Sequence, residues 1–213
     1  MTHPNAAHNN KRYHIKFPVL VIKTMEQTYI SQTFEKTDYN AHPLPIGEYE
    51  QCNFSNCNFS GADLSNIIFI ECAFVSCNLS LSTLKKTAFR DVKFRDSKML
   101  GLRFDNCNPF LLSVSFDNCI LDHSSFYQVK LKKIVFKNTQ LREADFTQCD
   151  LTASIFDNCD LTGARFENTI LEKTDFQTSF NYSIDPDINK IKKAKFSLAG
   201  VSGLLDKYDI EIN

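Results

Sequence analysis

The chain has 213 residues with 24 basic and 25 acidic side chains, a formal net charge of −1, and is 43% hydrophobic. Such a balance excludes an intrinsically disordered chain. Its longest early apolar run, Phe17 to Ile22, contains Pro18 and falls far short of the roughly 18 residues a membrane span needs. No small-residue cleavage site comes after that run, so the expectation is a cytoplasmic protein with no membrane partner.

Residues 1–24 carry four basic residues, no acidic ones and three of the five histidines. They share no periodicity with the rest of the chain and are expected to be a disordered extension, with Met25 as a natural start. The remainder holds 20 basic and 25 acidic residues, a mildly acidic body. Nineteen Phe, no Trp, 8 Cys and only 6 Gly and 6 Pro describe a chain that must turn its corners without the usual turn residues.

From Phe34 an apolar residue recurs at every fifth position, through Tyr39, Leu44, Tyr49, Phe54, Phe59, Leu64 and onward to Phe104. After a two-residue slip the period resumes at Phe116 and continues to Phe176. An α-helix would wind such residues around its whole circumference, and a flat strand would alternate them between faces. Two positions before each centre lies a second register of small residues, among them Cys52, Cys57, Ala62, Cys72, Cys77, Ser82, Cys119, Ala144, Cys149 and Cys159.

Residues two apart on an extended segment point the same way. Each five-residue unit therefore sends one small and one large side chain inward, and the three-residue step to the next small one forces a turn. Phe54, Phe74 and Phe94 are spaced by 20, as are Phe116, Phe136, Phe156 and Phe176 beyond the slip. Four units then make one coil of a filled, square parallel β-helix, with these Phe stacked as its core. If the slip is a simple bulge, a second column reads Phe69, Phe89, Leu111, Leu131, Leu151, Leu171. Coils about 4.8 Å apart give a rod of roughly seven turns, about 34 Å long, with no lumen. A single coil cannot stand alone, so the ends need caps.

The pattern breaks after Phe176, with a loop expected over 181–189 around Asp185-Pro186, and Ala194-Lys195-Phe196 restores one repeat. Residues 25–196 thus form the β-helix and 197–213 a cap. Ser197 suits the N-cap of a short helix near Leu198 to Tyr208, which places Val201, Leu204, Leu205 and Tyr208 on one face, with Ile210 and Ile212 beyond. An apolar face at a rod's end either seals the core or joins two rods.

The units Ala62-Asp63-Leu64-Ser65-Asn66, Cys149-Asp150-Leu151-Thr152-Ala153, Cys159-Asp160-Leu161-Thr162-Gly163 and Ala144-Asp145-Phe146-Thr147-Gln148 resemble the A(D/N)LXX motif of pentapeptide-repeat proteins, over about residues 34 to 196. The resemblance implies a right-handed quadrilateral β-helix. The closing segment, from Phe196-Ser197-Leu198 to Ile210-Glu211-Ile212, resembles the C-terminal dimerisation cap of the Qnr and MfpA-type members, which are similar to B-DNA in shape and charge and bind type II topoisomerases. That likeness implies a DNA mimic engaging gyrase or topoisomerase IV, protection against quinolones, and a homodimer through Val201, Leu204, Leu205, Tyr208 and Ile210. Partner-facing acids would be Asp63, Asp105, Asp145 and Glu167, which share a face with Lys85, Arg103 and Arg165. A structural or general protein-binding rod with another partner is the alternative reading.

Every Cys, Cys107 included, falls on the small inward register and reads as a buried reduced thiol rather than a disulfide or metal ligand. His42 and His123 have no Cys or acidic neighbour at metal-ligand spacing, so no metal site is expected. No phosphate loop, nucleophile elbow or His-Glu pair occurs. Neither enzyme activity, a cofactor nor a small-molecule substrate is therefore expected. Lys130, Lys132 and Lys133, near Arg90 and Lys173, read as a solvated face, since the body's net acidity opposes nucleic-acid binding. Outward Ile68, Ile70, Ile120, Val135, Ile155 and Ile170 are either an interface column or scattered β-formers.

Overall fold

A computed structural model describes residues 27–211. The extension expected over 1–24, the start at Met25, and Ile212 lie outside the described residues. Eleven short strands succeed one another: β1 (Gln27–Ile30), β2 (Thr33–Glu35), β3 (Gly47–Glu50), β4 (Asn53–Ser55), β5 (Ile68–Ile70), β6 (Ala73–Val75), β7 (Ala88–Arg90), β8 (Val92–Arg95), β9 (Val114–Asp117), β10 (Val135–Lys137) and β11 (Ile155–Asp157). All pair in parallel, as a four-stranded sheet β1-β3-β5-β7 and a seven-stranded sheet β11-β10-β9-β8-β6-β4-β2. The chain is a β-solenoid of about 7 turns, each pairing residue by residue with the one below. We name the faces first to fourth by the centres Phe54, Phe59, Leu64 and Phe69, in chain order around a coil.

The five-residue unit explains the pairing. On the second face the amide of Asn78 donates to the Cys57 carbonyl at 3.0 Å, that of Phe59 to the Asn78 carbonyl at 2.7 Å, and that of Gly61 to the Ser80 carbonyl at 2.9 Å. Three bonds per unit tie neighbouring coils, and the second and third faces carry them as isolated bridges such as Asn58↔Asn78 and Asp145↔Arg165. Corners form because the second residue after most centres is left-handed, Asn106 and Thr178 being exceptions. Glycine does this at Gly61, Gly101 and Gly163, but elsewhere it is Asn56 (φ 53°), Glu71 (52°), Lys133 (61°), Glu143 (55°) or Ala153 (59°). That conformation costs an L-residue about 1–2 kcal/mol, and it persists because inter-coil bonds on both sides over-determine it.

Stacked rings fill the interior. On the first face Phe34, Phe54, Phe74, Phe94, Phe116, Phe136, Phe156, Phe176 and Phe196 form one unbroken ladder with centroids 4.7–5.5 Å apart. Early coils pack this ladder edge-on against the fourth face, as in Phe69–Phe74 at 5.3 Å. Later coils pack it edge-on against the third face, as in Phe126–Phe136 at 5.9 Å. Beyond the slip each coil combines two Phe with two aliphatic centres, so the cross-section stays filled.

Two details differ from the sequence reading. Leu111 does not enter the core column: it is 62% exposed at φ 58°, and Leu112 packs inward in its place. The ordinary register with the coil below persists to Asn108, whose amide donates to the Thr87 carbonyl at 2.9 Å, and the shifted register begins at Ser113, so the extra residues are taken up between them. The expected helix near 198–208 is two 3-10 segments, Val201–Leu204 and Asp206–Tyr208. Gly203 lies directly against the Tyr182 backbone, a close approach that a tight turn permits and a side chain would block. Ser197 is not the N-cap of the first segment: that position falls to Gly200, which makes no side-chain capping bond, and Ser197 Oγ instead accepts the Gly200 amide at 3.1 Å across the turn before the segment.

Phe136→Ala is expected to destabilise the rod by about 3–5 kcal/mol, while Lys137→Ala, one residue on and exposed, should change it by less than about 0.5 kcal/mol. Ala153→Gly should stabilise by about 0.5–1 kcal/mol by relieving the left-handed corner. Thermal and denaturant unfolding of the three variants check this ordering.

Candidate interaction faces

The inward small register does more than save space. A centre carbonyl at an open corner lacks a ladder partner, and the side chain 23 residues later supplies one. Thr87 Oγ1 donates to the Leu64 carbonyl at 2.8 Å, Ser154 Oγ to Leu131 at 2.9 Å, Thr174 Oγ1 to Leu151 at 2.8 Å and Ser179 Oγ to Phe156 at 2.7 Å. Thiols occupy the same positions, Cys77 Sγ lying 3.3 Å from the Phe54 carbonyl and Cys159 Sγ 3.4 Å from that of Phe136. Asn189, at the end of the expected loop, joins the series by donating to the Phe166 carbonyl at 2.8 Å. Of these residues the sequence marked Cys77 and Cys159, by size alone; the hydrogen bond is what the structure adds.

All eight cysteines are buried. Burial pushes the Cys72, Cys77 and Cys159 thiols up to about 12 and Cys119 up to about 11, and raises Cys107 and Cys149 as well. Among the described residues no group of three or more His, Cys, Asp or Glu is placed to hold a metal ion. His123 does have an acidic neighbour, Glu143 at 3.1 Å, which the sequence hid because it stands one coil further along.

Asp63, Asp105, Asp145 and Glu167 come together on the third face, where Arg103, Ser125, Asp145 and Arg165 bridge in succession. Their charge is largely committed. Asp105 pairs with Arg103 at 2.7 Å and Glu167 with Arg165 at 3.7 Å. Asp63 and Asp145 each accept the backbone amide two residues on, at 2.9 Å, bracing their own unit. Hydrogen bonds from the Ser65 hydroxyl and amide hold the Asp63 carboxyl below its ordinary range. With Lys85 and Lys86 on the same face the acids do not form a continuous stripe.

At the C-terminal end Leu204 turns toward the core and Leu205 is half-buried, while Val201, Tyr208 and Ile210 are exposed. The cap is pinned by the Ile184 amide donating to the Gly203 carbonyl at 2.9 Å, and by Lys207 paired with Asp185 at 2.6 Å and with Asp187. Leu198, at 93% exposure, is the most exposed large apolar side chain of the end.

The fourth face was the least legible. Below the bulge it presents Glu48, Glu50, Glu71 and Asp91 with Arg90; above it stand Lys130, Lys132, Lys133, Lys173, Lys190, Lys192 and Lys193, with Asp150 and Glu172. Only Lys132 among these lysines has an ion-pair partner in the described residues, Asp150 at 3.2 Å. Between the two halves Phe110 projects at 65% exposure, its ring 5.9 Å from the Arg90 guanidinium carbon. Arg90 therefore sits with Phe110 rather than with the lysines. On the first face Val135 and Ile155 do stack in register, both partly exposed.

Two stretches, residues 48–110 and 110–180, match the family profile of the pentapeptide repeat region. The chain belongs to the pentapeptide-repeat family. No curated protein matches it significantly. A trypsin-treated variant of QnrB1, a plasmid-mediated fluoroquinolone resistance protein, superposes with a TM-score of 0.55 at 17% identity, covering 89% of this chain and 100% of that one. A second trypsin-treated QnrB1 variant is 20% identical over 88% of this chain and 100% of that one, with a TM-score of 0.44. At these identities the likeness shows the fold alone, and the first superposition carries it. No helix among the described residues is long and apolar enough to cross a membrane.

The interior thiols of this pentapeptide-repeat rod give a pH signature. A thiol whose folded pKa lies above its unfolded value favours the folded state while both are protonated, and that stability is lost as pH rises from the unfolded value, about 9, toward the folded one. Unfolding midpoints should fall steadily from pH 9 to pH 11, and native thiols should resist a disulfide reagent at pH 8 until denaturant is added. A native burst of several reactive thiols would contradict the buried register.

Proposed function

We propose that the protein is a non-catalytic interaction scaffold that presents its flat outer faces to a macromolecular partner. The observation that carries this reading is the filled interior: ring ladders and hydrogen-bonded small residues occupy the whole cross-section, so chemistry is left only to side chains on the outside. The Qnr resemblance nominates a type II topoisomerase as the partner, with the rod standing in for duplex DNA, and end-to-end self-association through Val201, Leu204, Leu205, Tyr208 and Ile210. The pairing of Asp105 with Arg103 and of Glu167 with Arg165 favours a second reading, a scaffold for a different protein, because a duplex mimic relies on uncommitted negative charge.

Gyrase supercoiling with and without a fluoroquinolone separates the two. Under the first reading, micromolar protein inhibits supercoiling or relieves drug inhibition, and the effect weakens when Asp63, Asp145 and Glu167 are changed together to Asn, Asn and Gln. Unchanged supercoiling in both arms removes the topoisomerase and leaves the general scaffold.

A further inference from the structure

We infer that the fourth face is a self-complementary surface, and that two copies of this chain pair along it side by side and antiparallel. The inference stands apart from the partner proposed above and from the end-to-end contact through the cap.

Three features of that face point to it. First, its charge is divided along the rod: Glu48 and Glu50 flank the buried Tyr49 on β3, and Glu71 comes on the next coil. At the far end Lys190, Lys192 and Lys193 surround Ile191, with Lys173 one coil nearer. None of these seven side chains has an ion-pair partner among the described residues. Secondly, Phe110 and Leu111 stand exposed between the two halves, held out by the bulge. Thirdly, the coils keep register from β3 to β7, across the bulge through Phe94↔Phe116, and on to the Ile170↔Lys190 bridge, so both halves lie along one face.

A two-fold axis that lies in the plane of the contact and crosses the rods at right angles brings the same face of each copy together with the rod direction reversed. With that axis half a coil beyond the bulge, between the Leu112 and Leu131 levels, Lys190 and Lys192 of one copy fall over Glu48 and Glu50 of the other and Lys173 falls over Glu71, twice, while Phe110 and Leu111 of the two copies flank the axis. An apolar middle with complementary charged wings is the usual anatomy of a specific contact. A parallel pairing would instead set lysine against lysine, so charge selects the antiparallel arrangement. A polyanion such as duplex DNA would satisfy the lysine half but leave the glutamate half opposed, and for that reason the second copy fits better.

Sedimentation of the full chain at low and high salt is the first measurement. A dimer at 50 mM salt that dissociates near 500 mM is expected, because the Debye length shortens from about 10 Å at 0.1 M toward about 3 Å at 1 M and exposed pairs are then screened. Two variants reverse one wing each: Lys190→Glu with Lys192→Glu and Lys193→Glu, and Glu48→Lys with Glu50→Lys and Glu71→Lys. Each alone should be monomeric, their equimolar mixture should form a heterodimer, and the chain carrying all six changes, whose net charge equals the wild type's, should recover the homodimer. Phe110→Asp should also abolish the dimer, with circular dichroism unchanged. Leu204→Asp with Leu205→Asp should leave it intact. A wild type monomeric at 50 mM salt overturns the inference, as does a dimer lost in the cap variant but kept in both wing variants. Capture of duplex DNA by a rod that stays monomeric, abolished by the lysine reversals, overturns it in favour of a polyanion surface.

Discussion

Every residue of the rod sits above the residue one coil earlier, and this vertical register is the constraint on which all else rests. Parallel in-register stacking makes each inward position a column rather than a site. The first-face column keeps one side-chain shape throughout, and there a ring 4.8 Å from its neighbours above and below has no freedom to tilt alone. The Phe ladder is thus both the product of the register and the means of holding it: a one-residue slip would break eight stacked contacts together. Backbone strain has the same source. Corners at Glu71, Lys133 or Ala153 take left-handed conformations that isolated turns would give to glycine, and the bonds to the coils on either side hold them there.

The period of five was legible because the constraint acts on side chains one at a time. Inward centres must be large and apolar, the preceding inward residue small, and both demands are written directly in residue type. Phe54 through Phe176, the eight thiols and the acids of the third face are placed as the spacing requires. What the period could not convey was phase within an interruption. Two extra residues between Phe104 and Phe116 can be absorbed at several points, and only the structure places them between Asn108 and Ser113, with Leu112 rather than Leu111 turned inward.

Other features were hidden for a related reason. A small inward residue looks the same in sequence whether it only spares volume or also donates to a carbonyl 23 residues back, so the role of Thr87, Ser154 or Cys77 needed three dimensions. Lys190, Lys192 and Lys193 belong to a coil that the loop around Asp185-Pro186 disguises, and their alignment with Lys130 and Lys173 appears only once Ile170 is seen to bridge Lys190. The cap likewise reads as one helix by apolar spacing, yet Tyr182 crowds Gly200 and Gly203 so closely that a side chain at either would collide with it.

A filled column also governs where specificity can reside. Core substitutions propagate through a ladder and are felt as stability, whereas the three outward positions of each unit are free of the register and can differ from coil to coil. Net charge per face is therefore set independently on each side of the square. Here the third face interleaves acids with arginines at contact distance and is locally neutral, while the fourth gathers most of its acids below the bulge and its lysines above it, with Arg90, Asp150 and Glu172 as the exceptions. Interleaved charge satisfies itself within the molecule and gives a partner little to recognise; segregated charge stays unsatisfied until another surface arrives. On that ground the fourth face, rather than the one carrying the acids that a duplex mimic would need, is where this rod has recognition to offer.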